Sequence, residues 1–344
     1  MTRSLRVWLP ALRAGSGADV FMKRLAQGLE RAGHEPLLQW FPHRCEWQPW
    51  TLASVTAPAN LDIIHTGSWQ GFAFRRGDVP LVVTEHQYIR HPAFMSHRGR
   101  LQSLYHDAFV RHCVSRSYRV ADALVAVSEH TAQAMRAAID RPVHMIHNWV
   151  DTTRFLPVAR QSREGGTPFR LLFVGNPSRW KGADVLPALA ERLGPAFDIQ
   201  CMGGLRREFD AARMPPGIRL RDAVAAEQMP SVYHSVDAVL VPTRYEAFGY
   251  VAVEAMACGL PVLGFASTGT AEVCVDGETA LLAPMDDVDT LARHARRLSE
   301  DPALCERLGL AGRQRAVSCF SEEKGVDAYL ALYRTLTHDG RPHD

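Results

Sequence analysis

Short apolar runs recur along the chain, separated by longer stretches in which apolar residues return every third or fourth position. In the first half the runs 5–10 (LRVWLP), 61–66 (LDIIHT), 81–86 (LVVTEH), 123–128 (ALVAVS) and 143–148 (VHMIHN) predict strands. In the second half 170–175 (RLLFVG), 198–202 (DIQCM), 238–242 (AVLVP) and 261–265 (PVLGF) do the same. The segment 19–33 predicts a helix, with Val20, Phe21, Leu25 and Leu29 on one face and Gly33 as its stop. Segments 184–194 and 289–300 carry the same signature. Strand-like runs alternating with helix-like segments predict an α/β fold with parallel sheets.

A polar, glycine-bearing stretch without periodicity, VARQSREGGT, lies between Pro157 and Pro168 and predicts an interdomain linker. Each side of it has the size of one doubly wound domain. The tail 337–344 (THDGRPHD) has nothing to bury and is expected to be disordered. In open parallel sheets, ligands bind outside the carboxyl ends of the strands. Two such domains facing across a cleft would therefore take their chemistry from loops that follow strands.

Composition narrows this picture. At 344 residues, 47% hydrophobic and 22% charged, the chain is ordinary for a soluble two-domain protein. A formal charge of +2 gives no overall pull toward nucleic acid. No window approaches the ~18 uninterrupted apolar residues of a membrane span. The apolar run at the N-terminus is broken by Pro10 and Arg13 and is too short for a signal peptide. Seven scattered cysteines without C-x-x-C spacing suggest reduced thiols and a cytoplasmic location.

The strongest chemical signal is 244–265, RYEAFGYVAVEAMACGLPVLGF. Glu246 and Glu254 flank a turn at Phe248-Gly249-Tyr250, and Tyr250 to Cys258 reads as a helix stopped by Gly259 and Pro261. Glu254 is the only charge in an otherwise buriable helix, so its carboxylate needs a partner. Adjacent ribose hydroxyls or an arginine elsewhere in the chain would each provide one. The helix N-terminus near Gly249 offers free N–H groups to a phosphate. A second signal is 170–193, in which a strand ends at Gly175 and Arg179, Lys181 and Gly182 open a helix. Positive charge there suits a diphosphate, or is simply a solvated basic loop.

Together these segments resemble the retaining GT-B glycosyltransferases, especially the large bacterial family four, the glycosyl transferases group 1. The resemblance extends to 229–249, 267–292, 121–135, 146–157 and 320–336, and is strongest from Phe169 to Pro284. It implies two Rossmann-like domains: an acceptor-binding domain over 1–156 and a nucleotide-sugar domain over 168–315. A final helix, 316–336, would cross back to the first. By the same resemblance Lys181 would bind the donor diphosphate with Arg179 as helper. Glu254 would hold the ribose, and Glu246 the transferred sugar. Backbone N–H groups of Phe248, Gly249 and Tyr250 would contact sugar and phosphate. Gly175 and Asn176 would border the diphosphate, Gly15-Ser16-Gly17 would approach the phosphate or the acceptor, and His86 would line the reaction centre.

Some positions depart from the family. Asn176 stands where many members carry an arginine, Asp222 falls near a usual glycine, and Thr268-Gly269-Thr270 replaces a double glycine before Glu272.

The resemblance implies no cofactor and no metal. It implies a UDP-, GDP- or ADP-linked sugar as co-substrate, and a glycan or lipid-linked acceptor. Asp287-Val288-Asp289 spells the D-x-D of metal-dependent glycosyltransferases, but it precedes a helical segment, and Asp289 reads better as an N-cap. The stretch Arg90–Arg119, rich in Arg, His and aromatics, reads either as a surface for an anionic acceptor or membrane, or as a solvated helical face. Membrane contact there would place the protein at the inner face of the membrane. The rival activities are a GT-B sugar-nucleotide epimerase and a non-catalytic nucleotide-sugar-binding subunit.

Overall fold

The computed structural model describes residues 3–95, 104–159, 166–203 and 217–339, the last two residues, 338 and 339, in backbone only. The chain divides into two compact units, Met1–Asn148 with Glu322–Asp344, and Trp149–Ser321.

The first unit is built on a six-stranded parallel sheet in the order β2-β1-β3-β4-β5-β6. Its strands are β1 (Arg6–Leu12), β2 (Glu35–Phe41), β3 (Ile63–Gly67), β4 (Leu81–Glu85), β5 (Ala123–Ala126) and β6 (Val143–Met145). The helix Gly17–Arg31 buries Phe21, Met22, Leu25 and Leu29, the stripe that a 3.6-residue period predicts. The last helix, Glu322–Asp339, belongs to this unit. Gly28 of the first helix allows it to approach, since a Cβ there would lie 2.3 Å from Val326. Tyr333 and Tyr329 reach from it into the sheet. The Tyr333 hydroxyl is 2.5 Å from His65 Nδ1, His65 Nε2 is 2.7 Å from Thr84 Oγ1, and Thr84 Oγ1 is 3.1 Å from the Tyr329 hydroxyl. These polar groups are buried and satisfy one another.

The second unit repeats the plan with the order β12-β11-β10-β7-β8-β9, again all parallel. Its strands are β7 (Phe169–Gly175), β8 (Phe197–Gly203), β9 (Ile218–Arg221), β10 (Ala238–Val241), β11 (Val262–Phe265) and β12 (Ala280–Ala283). Phe173, Leu240, Leu263 and Phe265 of the sheet join one core with Leu186, Leu189, Leu291 and Leu298 of the flanking helices. The helix Tyr250–Ala257 is buried over Ala252–Ala257, because Pro302–Phe320 packs on it through two glycines. A Cβ at Gly309 would sit 2.2 Å from the Gly259 carbonyl oxygen, and one at Gly312 would sit 3.2 Å from Met256.

The chain therefore has the two doubly wound parallel sheets of the GT-B class. Each predicted strand is present, with ends shifted by at most three residues. Three strands were not predicted: β2, β9 and β12. The helix at 288–300 is capped by Asp287, whose carboxylate accepts from Thr290 N at 2.8 Å, and not by Asp289, which pairs instead with Arg192. The final helix continues to Asp339, so 337–339 are helical where disorder was expected, and 340–344 lie outside the described residues. Of the predicted linker, 160–165 lie outside them too.

Candidate active site

In each sheet one strand has neighbours that follow it in both directions, and a crevice opens beside it at the carboxyl ends. In the second unit that point lies between β7 and β10. The loop after β7 carries Lys181 and the loop after β10 carries Glu246. Lys181 Nζ is 2.6 Å from Glu246 Oε2, and each side chain is only 17% exposed. The lysine stem runs past Gly175, whose missing side chain leaves Cδ of Lys181 within 3.7 Å of where a Cβ would stand. Its ammonium also lies 4.7 Å from the centre of the Trp180 ring. Gly182 then turns with φ +75°, and a Cβ on it would lie 1.9 Å from the carbonyl oxygen of Pro242, so the loop rests directly on the end of β10. Asn176 sits at the start of this turn and its carbonyl accepts from Ser178 N at 2.7 Å. Arg179 is solvent-facing, with Nε 3.8 Å from Asp184.

The Glu246 loop is held from the other side by the segment after β11. Thr268 Oγ1 accepts from Glu246 N at 2.7 Å and donates to Glu246 O at 3.0 Å. Gly269 N donates to the same carbonyl at 2.9 Å, and a Cβ on Gly269 would be 2.7 Å from it. Gly269 therefore supplies a close backbone approach to the Glu246 loop. Gly249, at φ +106°, is the N-cap of Tyr250–Ala257, and Phe248 is buried against Tyr250 and Phe320. One turn into this helix, Glu254 is 9% exposed and accepts a 2.9 Å hydrogen bond from the Tyr233 hydroxyl. At this oxygen the chain itself supplies a tyrosine as partner.

The sequence reading missed Arg244. Its guanidinium is 7% exposed and forks onto Asp184 at 2.7 and 3.1 Å, while Nε reaches Asp286 at 2.6 Å. A signal was available, because Arg244 is the only lysine or arginine between Asp222 and Ala292. Asp286, Asp287 and Asp289 each have a side-chain or capping partner, and no cluster of three or more His, Cys, Asp or Glu suited to a metal occurs among the described residues.

In the first unit the crevice lies between β1 and β3. Gly15, at φ +60°, and Gly17 follow β1. Asp19 folds back over this turn and accepts from Ala14 N at 3.3 Å, Gly15 N at 3.0 Å and Ser16 Oγ at 3.2 Å, so these donors meet a carboxylate of the chain itself. His86 follows β4, its ring 4.6 Å from that of Phe21. Burial pushes its pKa down to about 3, so the ring is neutral, and neither ring nitrogen has a hydrogen-bond partner among the described residues. Beside it Glu85 is buried and accepts from the Tyr118 hydroxyl and from Gln87 N at 3.0 Å. Desolvation raises its pKa to about 7 against these hydrogen bonds. Within the basic stretch, Arg90, Arg111 and Arg119 line one cavity of about 280 Å³ together with Arg141 and Asp140. Residues 96–103 of that stretch lie outside the described residues, and no described helix is long and apolar enough to cross a membrane.

Two family models match the chain: Glycosyltransferase Family 4 over residues 36–154 and Glycosyl transferases group 1 over residues 158–315. D-inositol 3-phosphate glycosyltransferase 1 of Catenulispora acidiphila is 29% identical over 324 residues, spanning 85% of this chain and 76% of the relative. Glycogen synthase of Mycobacterium tuberculosis is 29% identical over 291 residues, spanning 79% and 68%. Among solved structures, sucrose-phosphate synthase from Thermosynechococcus elongatus superposes with a TM-score of 0.80 over 97% of this chain and 100% of the other, at 20% identity.

Proposed function

The chain belongs to the group 1 glycosyltransferases, enzymes that transfer a sugar from a nucleotide sugar, and from that membership we propose that it is a retaining, metal-independent member. It moves a hexose-type sugar from a UDP-, GDP- or ADP-linked donor to a hydroxyl of a glycan or lipid-linked acceptor, in polysaccharide, lipopolysaccharide or glycolipid synthesis. The observation that supports this most is the close pairing of Lys181 with Glu246 at the crevice between β7 and β10.

In this reading Lys181 and the N-terminus of Tyr250–Ala257 hold the diphosphate and stabilise it as it leaves. Gly175 and Asn176 border it. Glu246 contacts the hydroxyls of the transferred sugar, and Glu254, oriented by Tyr233, takes the ribose. The acceptor oxygen bonds to the anomeric carbon from the face that the diphosphate leaves, the carbon–phosphate oxygen bond breaks, and the departing phosphate takes the acceptor's proton. His86, held neutral by burial, can give or take one hydrogen bond near the acceptor without carrying charge. The arginine-lined cavity of the first unit suits an acidic group on the acceptor or a membrane at the protein's cytoplasmic station.

Calorimetry with UDP, GDP and ADP tests this. One of them should bind, and Lys181→Ala should weaken it by roughly 1.5–3 kcal/mol, the range for hydrogen bonds to a charged group. Undiminished affinity in Lys181→Ala would remove the diphosphate assignment. Transfer should persist after exhaustive chelation, since a lysine and a helix N-terminus take the place of a cation. Activity lost in EDTA and restored by manganese would overturn that part.

A further inference from the structure

Arg244 lies two residues before Glu246, on the loop that leaves β10. Its backbone N–H donates to the carbonyl of Trp180 at 2.9 Å. Its Nη1 donates to the carbonyl of Arg179 and, at 2.7 Å, to Asp184 Oδ1, while Nη2 reaches Asp184 Oδ2 at 3.1 Å. These contacts span the turn that holds Lys181, from the residue two before it to the residue three after it. The third arm, Nε, donates to Asp286 Oδ1 at 2.6 Å, and Asp286 sits at φ +66° in the loop between β12 and the helix Val288–Glu300. One guanidinium thus ties together the loops that follow β7, β10 and β12.

We propose that Arg244 is a positioning residue for the transfer reaction, holding the Lys181 turn in register with Glu246 from the loop that carries Glu246 itself. This rests on the reading of Lys181 as the diphosphate cation. The turn has little regular structure of its own, only the two short 3-10 segments Arg179–Lys181 and Ala183–Val185. Gly182 lets it settle on Pro242 but fixes no side-chain direction. A cation stabilises a developing charge only where it is placed before the charge appears, and a fork with two parallel hydrogen bonds places the turn in a way that a point charge cannot. The guanidinium is buried, and its two carboxylates are half open to solvent, so the arginine is neutralised without closing off the loops. Asp286 steadies the arginine but does not touch the turn, so the two aspartates should differ in effect.

The experiment measures the affinity of the full-length protein for whichever of UDP, GDP and ADP binds the wild type most tightly, together with kcat and melting temperature. The variants are Asp184→Asn, Asp286→Asn, Arg244→Lys and Lys181→Ala, with the double variant Asp184→Asn/Lys181→Ala. Asp184→Asn and Arg244→Lys should weaken binding about tenfold, the scale on which small misplacements of a functional group are felt, and Asp286→Asn about twofold or less. In the Lys181→Ala background Asp184→Asn should change affinity no further, because the group it positions is gone. A purely structural ion pair predicts a lower melting temperature with unchanged affinity of the folded protein, and that result overturns the proposal. Additive losses in the double variant also overturn it while leaving the donor reading intact. Unchanged affinity in Lys181→Ala instead overturns the donor reading, and the proposal with it. Should Arg244→Lys fail to fold, Asp184→Asn still decides, since Asp184 is 37% exposed and changes by a single atom.

Discussion

Lys181 Nζ and Glu246 Oε2 stand 2.6 Å apart, so the two charges proposed to meet the diphosphate and the adjoining sugar of the donor neutralise each other across the crevice. A free nucleoside diphosphate has no sugar for Glu246 and must compete with it for the lysine. Glu246→Gln should therefore tighten binding of the diphosphate alone, by roughly threefold, given that partly exposed ion pairs are worth about 0.2–1 kcal/mol. The same substitution should lower turnover, because contacts to a sugar that becomes cationic strengthen in the transition state. Calorimetry with the diphosphate and steady-state kinetics with the full donor check the two halves. Weaker diphosphate binding in Glu246→Gln would mean that Glu246 orients the lysine and does not compete with the ligand.

Tyr233 and Glu254 offer a separate test at the other end of the donor. Tyr233→Phe leaves a buried carboxylate short of one donor and should cost about 1–3 kcal/mol in urea unfolding. Glu254→Gln should mainly raise the donor KM, since the ribose is distant from the reacting carbon. A donor lacking the ribose 2-hydroxyl should be penalised in the wild type and in Glu246→Gln, and much less in Glu254→Gln, whose partner is already missing. An equal penalty in all three proteins means that Glu254 does not hold the ribose.

Much of this was legible from residue order. The buried strands announced themselves as apolar runs, and the Lys181 turn and the Glu246–Glu254 segment carried the family's spacing. The three strands that escaped lie at sheet edges: β2 begins Glu-Pro, β9 alternates as Ile-Arg-Leu-Arg, and β12 is four residues long. β2 and β9 bury less and carry polar residues, so their apolar signal is weak, whereas β12 is fully buried but is an apolar run too short to tell a strand from another buried segment. Arg244 stood out as an isolated cation, but its pairing was illegible for another reason. Its partners are 60 and 42 residues away, and such pairing is set by the sheet order, which no local pattern encodes. Tyr233 and Glu254 are 21 residues apart, and only the packing of their elements brings them together.

Gly182 should be intolerant of any side chain. Alanine there meets φ +75° and a carbonyl oxygen 1.9 Å from its Cβ, and Pro242 is backbone that cannot swing aside. The turn must lift, carrying Lys181 away from Glu246. Gly182→Ala should weaken diphosphate binding to about the level of Lys181→Ala, with a stability loss of roughly 1–3 kcal/mol from backbone strain. Near-native affinity in a folded Gly182→Ala protein would show that the turn's contact with Pro242 does not place the lysine.

The buried ionisable groups of the first unit should give its stability a peaked pH profile. Burial raises Glu85 from 4.5 to about 7, so the folded state keeps a proton that the unfolded state has released. That contribution is complete below pH 4.5 and is lost as the pH climbs through 7. His65 and His86 shift the other way, from 6.5 to about 3, chiefly through burial, with His86 adding a smaller repulsion at His65. Their contribution is complete above pH 6.5 and is lost as the pH falls toward 3. Each group changes the unfolding free energy by about 1.4 kcal/mol per pH unit within its window. Below pH 4.5 the two histidines act alone and stability rises with pH at about twice that slope. Between 4.5 and 6.5 Glu85 opposes them and the rise is roughly halved, and from 6.5 to 7 Glu85 acts alone and stability falls, which puts the maximum near pH 6.5 for these three groups. Glu85→Gln keeps a hydrogen-bonding side chain and removes the titration, so the variant should lose the fall above pH 6.5 and steepen between 4.5 and 6.5. Urea unfolding of both proteins from pH 4 to 8 gives the difference curve directly. It should slope by about 1.4 kcal/mol per unit between pH 4.5 and 7 and be flat on either side, whatever the other titrating groups do, because they are common to both proteins. A flat difference across the whole range would mean that Glu85 ionises in the folded protein as it does in the unfolded chain.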